Sequence, residues 1–221
     1  MNSPLLQLLV LAGIAVFLIL RLKSVLGTRD GYEGPPRSQQ KSDDAPQRRD
    51  NFEVIEGGPD YDIIDNVPEG SDAAEALAEM KRVEPSFGVT EFVQGARGAY
   101  EMILMAFENG QLEDVAPFLS EDVYEAFAQV IDSRQEQGLT VEADFIGLRE
   151  TKLTDATFDT AENRASITVR FVGELTSVVR DSNGEIVEGD AKTPKRQKDI
   201  WTFERDMGVD DPNWRLVATG E

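Results

Sequence analysis

The chain has 221 residues, with 42 acidic against 22 basic side chains, a formal net charge of −20 and a pI near 4.3. That balance excludes nucleic acid as a partner and a folded domain lying flat on anionic lipid. With no histidine and no cysteine, the usual general base, every thiol nucleophile and the imidazole or thiolate ligands of zinc and haem are excluded as well, so no cofactor and no metal are expected.

Leu5 to Leu20 is apolar apart from Gln7 and is followed at once by Arg21 and Lys23. With Pro4 and the snorkelling stems of the two cations it reaches the roughly 17–25 residues that cross a bilayer as a helix. Residues 1–27 are therefore expected to be a membrane anchor, with Leu5, Leu9, Ile14, Phe17 and Leu20 among the spanning side chains. Met1-Asn2-Ser3 carries no positive side chain and Ser24-Val25-Leu26-Gly27 fits cleavage poorly, so the segment reads as an uncleaved anchor rather than a secretory signal. Both nearby cations follow the apolar run. The positive-inside rule then places the N-terminus outside and everything from Arg21 onward in the cytoplasm, and the absence of cysteine fits a reducing compartment.

Residues 28–70 change to Pro, Gly, Gln, Asp and Arg, with Pro35-Pro36 and Gly57-Gly58-Pro59. They read as an acidic linker without structure of its own, spanning roughly 35–40 Å as a flexible chain. One island, Phe52-Glu53-Val54-Ile55-Glu56 and then Tyr61-Asp62-Ile63-Ile64, alternates apolar and acidic residues. It reads either as an extra edge strand or sticky patch, or as a short partner motif.

Residues 71–221 suit one domain with one core and hold most of the charge: 15 basic and 31 acidic side chains, net −16. Asp72 as cap with Glu75, and the apolar set Ala73, Ala74, Leu77, Ala78 and Met80, predict a helix ending at Glu84-Pro85. Phe92, Ala96, Ala99, Tyr100, Ile103, Ala106 and Phe107 recur at helical intervals until Asn109-Gly110 supplies a left-handed cap. After a short turn over Leu112–Leu119, Ser120 starts a third helix with Val123, Tyr124, Phe127, Val130 and Ile131 on one side and a stop at Gly138.

Beyond Gly138 the period drops to two. Ala165, Ile167, Val169 and Phe171 alternate with Ser166, Thr168 and Arg170, a strand with one wet face. Asn183-Gly184 between Val178-Val179 and Ile186-Val187 predicts a hairpin whose two central residues both have positive φ. Further strands are expected at Lys198–Arg205 and Trp214–Thr219, separated by Asp210-Asp211-Pro212-Asn213. Helices followed by four antiparallel strands make an α+β domain with helices on one face of a curved sheet.

Several segments together resemble a known family: Phe92 to Glu101 (FVQGARGAYE) with Ala106-Phe107, Val123 to Phe127 (VYEAF), Ile167 to Phe171 (ITVRF), Asp199 to Arg205 (DIWTFER) and Asp211 to Thr219 (DPNWRLVAT). The chain is similar to the bacterial Tim44-like family, membrane-anchored relatives of the C-terminal domain of the subunit that tethers the mitochondrial import motor to the inner membrane. The resemblance covers about residues 85–220. It implies a cone-like α+β fold of the nuclear-transport-factor type enclosing an apolar pocket, a single N-terminal anchor and the bacterial inner membrane as location. Peripheral lipid binding does not carry over, because Asp72, Glu75, Glu79 and Glu84 outnumber Lys81 and Arg82 on the corresponding helix.

Function follows in three readings. The first is a protein-binding adaptor or tether for membrane or translocating proteins, presenting an apolar pocket or sheet face. The second is a lipid or small apolar ligand carrier using the same pocket. The third is an isomerase-like enzyme recruiting Tyr100, Tyr124 or Asp199; against it, the tyrosines fit apolar helix faces and an aspartate beside a strand is commonly a cap, so the chain is read as not an enzyme. Candidate binding residues are Phe107, Phe118, Tyr124, Phe127, Trp201 and Trp214, each of which is also a candidate core residue. Lys192, Lys195, Arg196 and Lys198 form a basic group on a hairpin arm of an acidic domain, which reads first as a solvated strand and second as a candidate site for an anionic surface or partner.

Overall fold

Residues 59–220 are described by the computed structural model; the anchor expected at 1–27 and most of the expected linker lie outside them. Four α-helices come first: α1 (Tyr61–Ile64), α2 (Asp72–Val83), α3 (Val89–Glu108) and α4 (Glu121–Glu136), with a 3₁₀ turn at Ala116–Phe118 before α4. Four strands follow, β1 (Thr140–Asp159), β2 (Arg164–Arg180), β3 (Ile186–Asp206) and β4 (Arg215–Gly220), in one antiparallel sheet of order β1-β2-β3-β4. The α+β class with helices packed on an antiparallel sheet is as the sequence implies. None of these helices is long and apolar enough to cross a membrane; the expected span lies outside the described residues.

The linker boundary moves. Residues 59–70, expected to be unstructured, pack into the domain: Ile63 and Val67 are each 5% exposed and belong to the core. Asp62 explains why. α3 begins at Gly88, which has no side chain to cap it, and the Asp62 carboxylate takes the place of a cap by accepting from the Val89 and Thr90 N–H groups, both at 2.8 Å. Lys81 of α2 completes the contact, at 2.7 Å from Asp62 and 2.8 Å from Asp60. Composition alone hid this, since Asp, Pro and Gly suggest a loop whether or not two isoleucine-sized side chains find a core.

Helix caps follow chain order with one correction. Ser71, not Asp72, caps α2: its Oγ accepts from the Ala74 N–H at 3.2 Å while its hydroxyl donates to the Pro68 carbonyl at 2.7 Å, which fixes the side chain in place. Ser120 caps α4, and Gly110 and Gly138 end α3 and α4 with φ of +69° and +67°.

The sheet is longer and more continuous than expected. β2 runs through both the Ala165–Phe171 alternation and Val178-Val179, and β3 joins Ile186-Val187 to Lys198–Arg205. The 20-residue β1 has no clean alternation in sequence, because register shifts at Phe145/Gly147, Leu148/Glu150 and Leu153/Asp155 repeatedly reset its inside–outside order. The β2–β3 turn also differs. Asn183 does not have positive φ; Gly184 does, at +80°. Asp181 Oδ1 accepts from the Asn183 and Glu185 N–H groups, both at 2.9 Å, and the Gly184 N–H bonds the Asp181 carbonyl. This carboxylate-capped turn leaves only one left-handed position to fill.

On the inner face of the sheet Ala165, Ile167, Val169 and Phe171 of β2 are fully buried, and Trp201 and Phe203 of β3 nearly so. Tyr100 of α3 stacks on Phe171 at 4.5 Å and meets Trp201 at 4.8 Å, while Phe92 meets Phe203 edge-on at 6.0 Å. Ser166, Thr168 and Arg170 on the opposite face are half-exposed, the wet face the alternation implied.

Candidate functional site

The six candidate aromatics divide. Trp201 is core: 3% exposed and in contact with Tyr100, Phe171 and Phe203. The other five are only partly covered, and they fall into two places.

Trp214 sits at the start of β4, 4.7 Å from Phe92 and 5.9 Å from Phe87, with the Arg205 guanidinium 5.3 Å over its ring. Arg205 in turn pairs with Glu84 at the end of α2 at 2.7 Å, and Glu84 accepts from the Gly208 N–H at 3.0 Å. Burial raises the Glu84 carboxyl, but Arg205 and Gly208 outweigh it and hold the group below the usual carboxylate range. Asp211 accepts from both nitrogens of Asn213 and shapes the turn that delivers the indole. The Asp-Pro-Asn-Trp segment is therefore a clasp joining the β3–β4 turn to α2 and α3.

The second group lies on α3, the 3₁₀ turn and α4. Phe107 and Phe127 meet at 4.6 Å, with Arg134 stacked 4.7 Å over Phe107. Tyr124 and Phe118 are half-buried nearby in sequence, and α4 fully buries only Val123 and Ile131. An amphipathic helix normally hides its apolar side; here Tyr124, Phe127, Ala128 and Val130 remain partly open beside the exposed Glu121, Asp122, Glu125 and Asp132. Phe107 and Phe127 are thus brought together, while Phe118 and Tyr124 are half-buried on the 3₁₀ turn and on α4.

Of the residues open to an isomerase-like reading, Tyr100 and Asp199 are brought together. The Tyr100 hydroxyl donates to Asp199 Oδ2 at 2.6 Å, and Gln197 donates to Oδ1 at 3.1 Å. Burial, then the Asp199 carboxylate, push the phenol well above its ordinary pKa, so Tyr100 stays protonated. The hydroxyl lies so close to β2 that a Cβ at Gly173 would stand 2.8 Å from it. A protonated phenol wedged between rings and backbone ties α3 to β3. It is poorly placed to meet a substrate.

A groove of about 260 Å³ runs beside β4, where Arg164, Arg205 and Arg215 face Glu204, Asp206 and Asp211. It is polar and mixed in charge, and none of the six candidate aromatics lines it. Among the described residues no set of carboxylates is arranged to hold a metal ion. Sequence reasoning missed Asp62, Glu84 and Arg205, whose links between elements run from Asp62 to Val89 and Thr90 and from Glu84 to Arg205 and Gly208; the one available signal was Gly88 at a helix start with no capping side chain of its own.

A Tim44-like domain model matches residues 73–221. The human mitochondrial import inner membrane translocase subunit TIM44 is 26% identical over 159 residues, covering 71% of this chain and 35% of that protein. The Caenorhabditis elegans probable mitochondrial import inner membrane translocase subunit tin-44 is 24% identical over 151 residues, covering 66% and 35%. The chain thus spans about a third of the length of these relatives. Among solved structures, the intermembrane space region of the chloroplast protein ARC6 is similar with TM-score 0.39 and 11% identity over 59% of this chain and 92% of that one, a likeness too loose to extend the comparison. With the family model matching residues 73–221, from the first turn of α2 through β4, the chain belongs to the Tim44-like domain family.

Proposed function

We propose that this protein is a membrane-anchored protein-binding adaptor: a cone-like Tim44-like domain held at the bacterial inner membrane by the segment 1–27, N-terminus outside and domain cytoplasmic, that engages membrane or translocating proteins. The observation that carries the binding role is the half-covered aromatic side of α4, where Phe127 packs on Phe107 at 4.6 Å and Tyr124 is likewise only partly covered, on a helix that buries only Val123 and Ile131. Aromatic side chains already held by neighbours supply contact area at little entropic cost, as at interface hot spots. The relatives support a membrane setting, since the named proteins are inner membrane translocase subunits.

Purification of the full chain from native membranes under mild extraction tests the role. Tyr124→Asp with Phe127→Asp should lose a stoichiometric protein partner that the parent retains, with the melting temperature changed by only a few degrees. Retention of the partner by the folded double variant would refute the surface. Recovery of a lipid or small apolar molecule in place of protein would assign the carrier function.

A further inference from the structure

The adaptor surface leaves the opposite side of the sheet unused, and the charge there runs against the rest of the molecule. Side chains that alternate with the buried core of β2 and β3 emerge on this outer face. Across neighbouring strands Lys152 pairs in register with Arg170 and Ile200, and Glu150 with Val172 and Lys198. One row further on, Glu174 takes Arg149 at 2.6 Å and Arg196 at 3.0 Å, and these two guanidinium groups hold its carboxyl below the usual range. Arg170 is satisfied by Glu150. Among the described residues Lys152 and Lys198 have no ion-pair partner and are exposed.

This half of the face therefore holds five cations against Glu150 and Glu174. Lys192 and Lys195 are exposed further along β3, and Lys195, opposite the buried Leu175, lies on the other face. Five of the 15 basic side chains of residues 71–221 gather on this half of one face, in a domain whose net charge is −16. In their midst Ile200 is 37% exposed beside Val172 at 9%, an apolar centre in a basic rim. Such segregation is costly to maintain by self-repulsion unless something of opposite charge uses it, and it steers encounter by charge.

We propose that the outer face of the sheet around Lys152, Arg170, Lys198 and Ile200 is a second docking surface, for an acidic segment of a partner protein. Charge complementarity commits it to an acidic occupant. Protein rather than bilayer is favoured because the other 29 acidic side chains of the domain would be brought toward anionic lipid along with the patch. This surface is independent of the aromatic one on α4, and loss of either leaves the other to be tested.

The test uses the full-length ¹⁵N-labelled chain in zwitterionic micelles, titrated with a synthetic poly-L-glutamate of about 20 residues as probe. Saturable amide shifts are expected at Lys152, Arg170, Lys198 and Ile200, with little change on α4. K152E/K198E should weaken binding about tenfold or more, and K152Q/K198Q by a smaller factor, both with an unchanged melting temperature because neither lysine holds an internal ion pair. Shifts that do not saturate, or that persist undiminished in the folded K152E/K198E variant, would overturn the proposal. So would phosphatidylglycerol vesicles perturbing the same amides more strongly than poly-L-glutamate at equal charge concentration, which would make the face a lipid-binding one.

Discussion

Replacing Asp62 by alanine should cost more than replacing its neighbour Asp60, although both contact Lys81 and both accept from N–H groups at a helix start. Asp62 accepts two backbone N–H bonds at 2.8 Å from the first turn of α3, whose own cap position is Gly88. Its side chain is 27% exposed against 44% for Asp60. Losing a capping carboxylate costs about 0.5–2 kcal/mol, and losing a negative charge at the positive end of a helix about 0.3–1 kcal/mol more. Asp62→Ala should therefore destabilise by about 2 kcal/mol. Asp60→Ala removes an exposed ion pair from a lysine that keeps Asp62, worth below about 1 kcal/mol, and one exposed cap bond to the Asp62 N–H at 3.1 Å on the four-residue α1, worth about 0.5 kcal/mol at the low end of the capping range. Asp62→Asn, which retains an acceptor oxygen, should fall between the two. Urea unfolding followed by tryptophan emission reads these differences as midpoint shifts at constant slope. The pH dependence carries a sign. Partial burial raises the Asp62 carboxyl, but bonds from Lys81, Thr90 and Val89 outweigh it and leave it well below its ordinary value. Its contribution is therefore fully present above the unfolded-state pKa of about 4 and is lost as pH falls below that, toward the depressed folded value. The gap between parent and Asp62→Ala should shrink correspondingly in acid. An Asp60→Ala cost equal to or above that of Asp62→Ala, or a gap that widens below pH 4, would refute the capping assignment.

Three further outcomes follow from the same packing. A chain starting at Ser71 should be less stable than one starting at Pro59 by about 4 kcal/mol, from the buried Ile63 and Val67 and the lost cap; equal denaturation midpoints would return residues 59–70 to the linker. Trp201→Ala should cost about 3–5 kcal/mol as a core truncation, and Trp214→Ala clearly less because its ring is partly open, so a reversed order in thermal melts would contradict the clasp. Gly189→Ala should disrupt the distal β2–β3 arm, since φ is +82° and a Cβ would lie 2.0 Å from the Ser177 carbonyl oxygen; hydrogen exchange should rise at residues 176–190 and stay unchanged in α3, and a uniform change would be inconsistent with a local bulge.

Where one physical pattern dominated, the fold was legible in the sequence. The helical recurrence from Phe92 to Phe107 gave α3, and the alternation from Ala165 to Phe171 gave the centre of β2 with its wet face. β1 was not legible, because each bulge shifts the face on which the next side chain appears, and a single sequence does not show which residue is the extra one. The Asn183-Gly184 pair suggested a tighter turn than Asp181 permits once its carboxylate bonds the turn's N–H groups. Candidate residues were legible as a class and not individually. Trp201 and Phe127 are both large aromatics on amphipathic elements, and only the partners that assemble in space separate a core ring from a half-open one. Long-range polar links, Asp62 to α3 and Glu84 to Arg205, leave no periodic trace at all.

The central claim is that α4 presents its aromatic side to another protein at the membrane. A photoreactive phenylalanine analogue at position 127 of the full chain, irradiated in intact native membranes, tests it most directly, with the same analogue at the buried position 203 as reference. The account predicts a discrete protein crosslink from 127 that is absent from 203. Crosslinks from 127 to lipid alone, or none from either position in the folded protein, would contradict it.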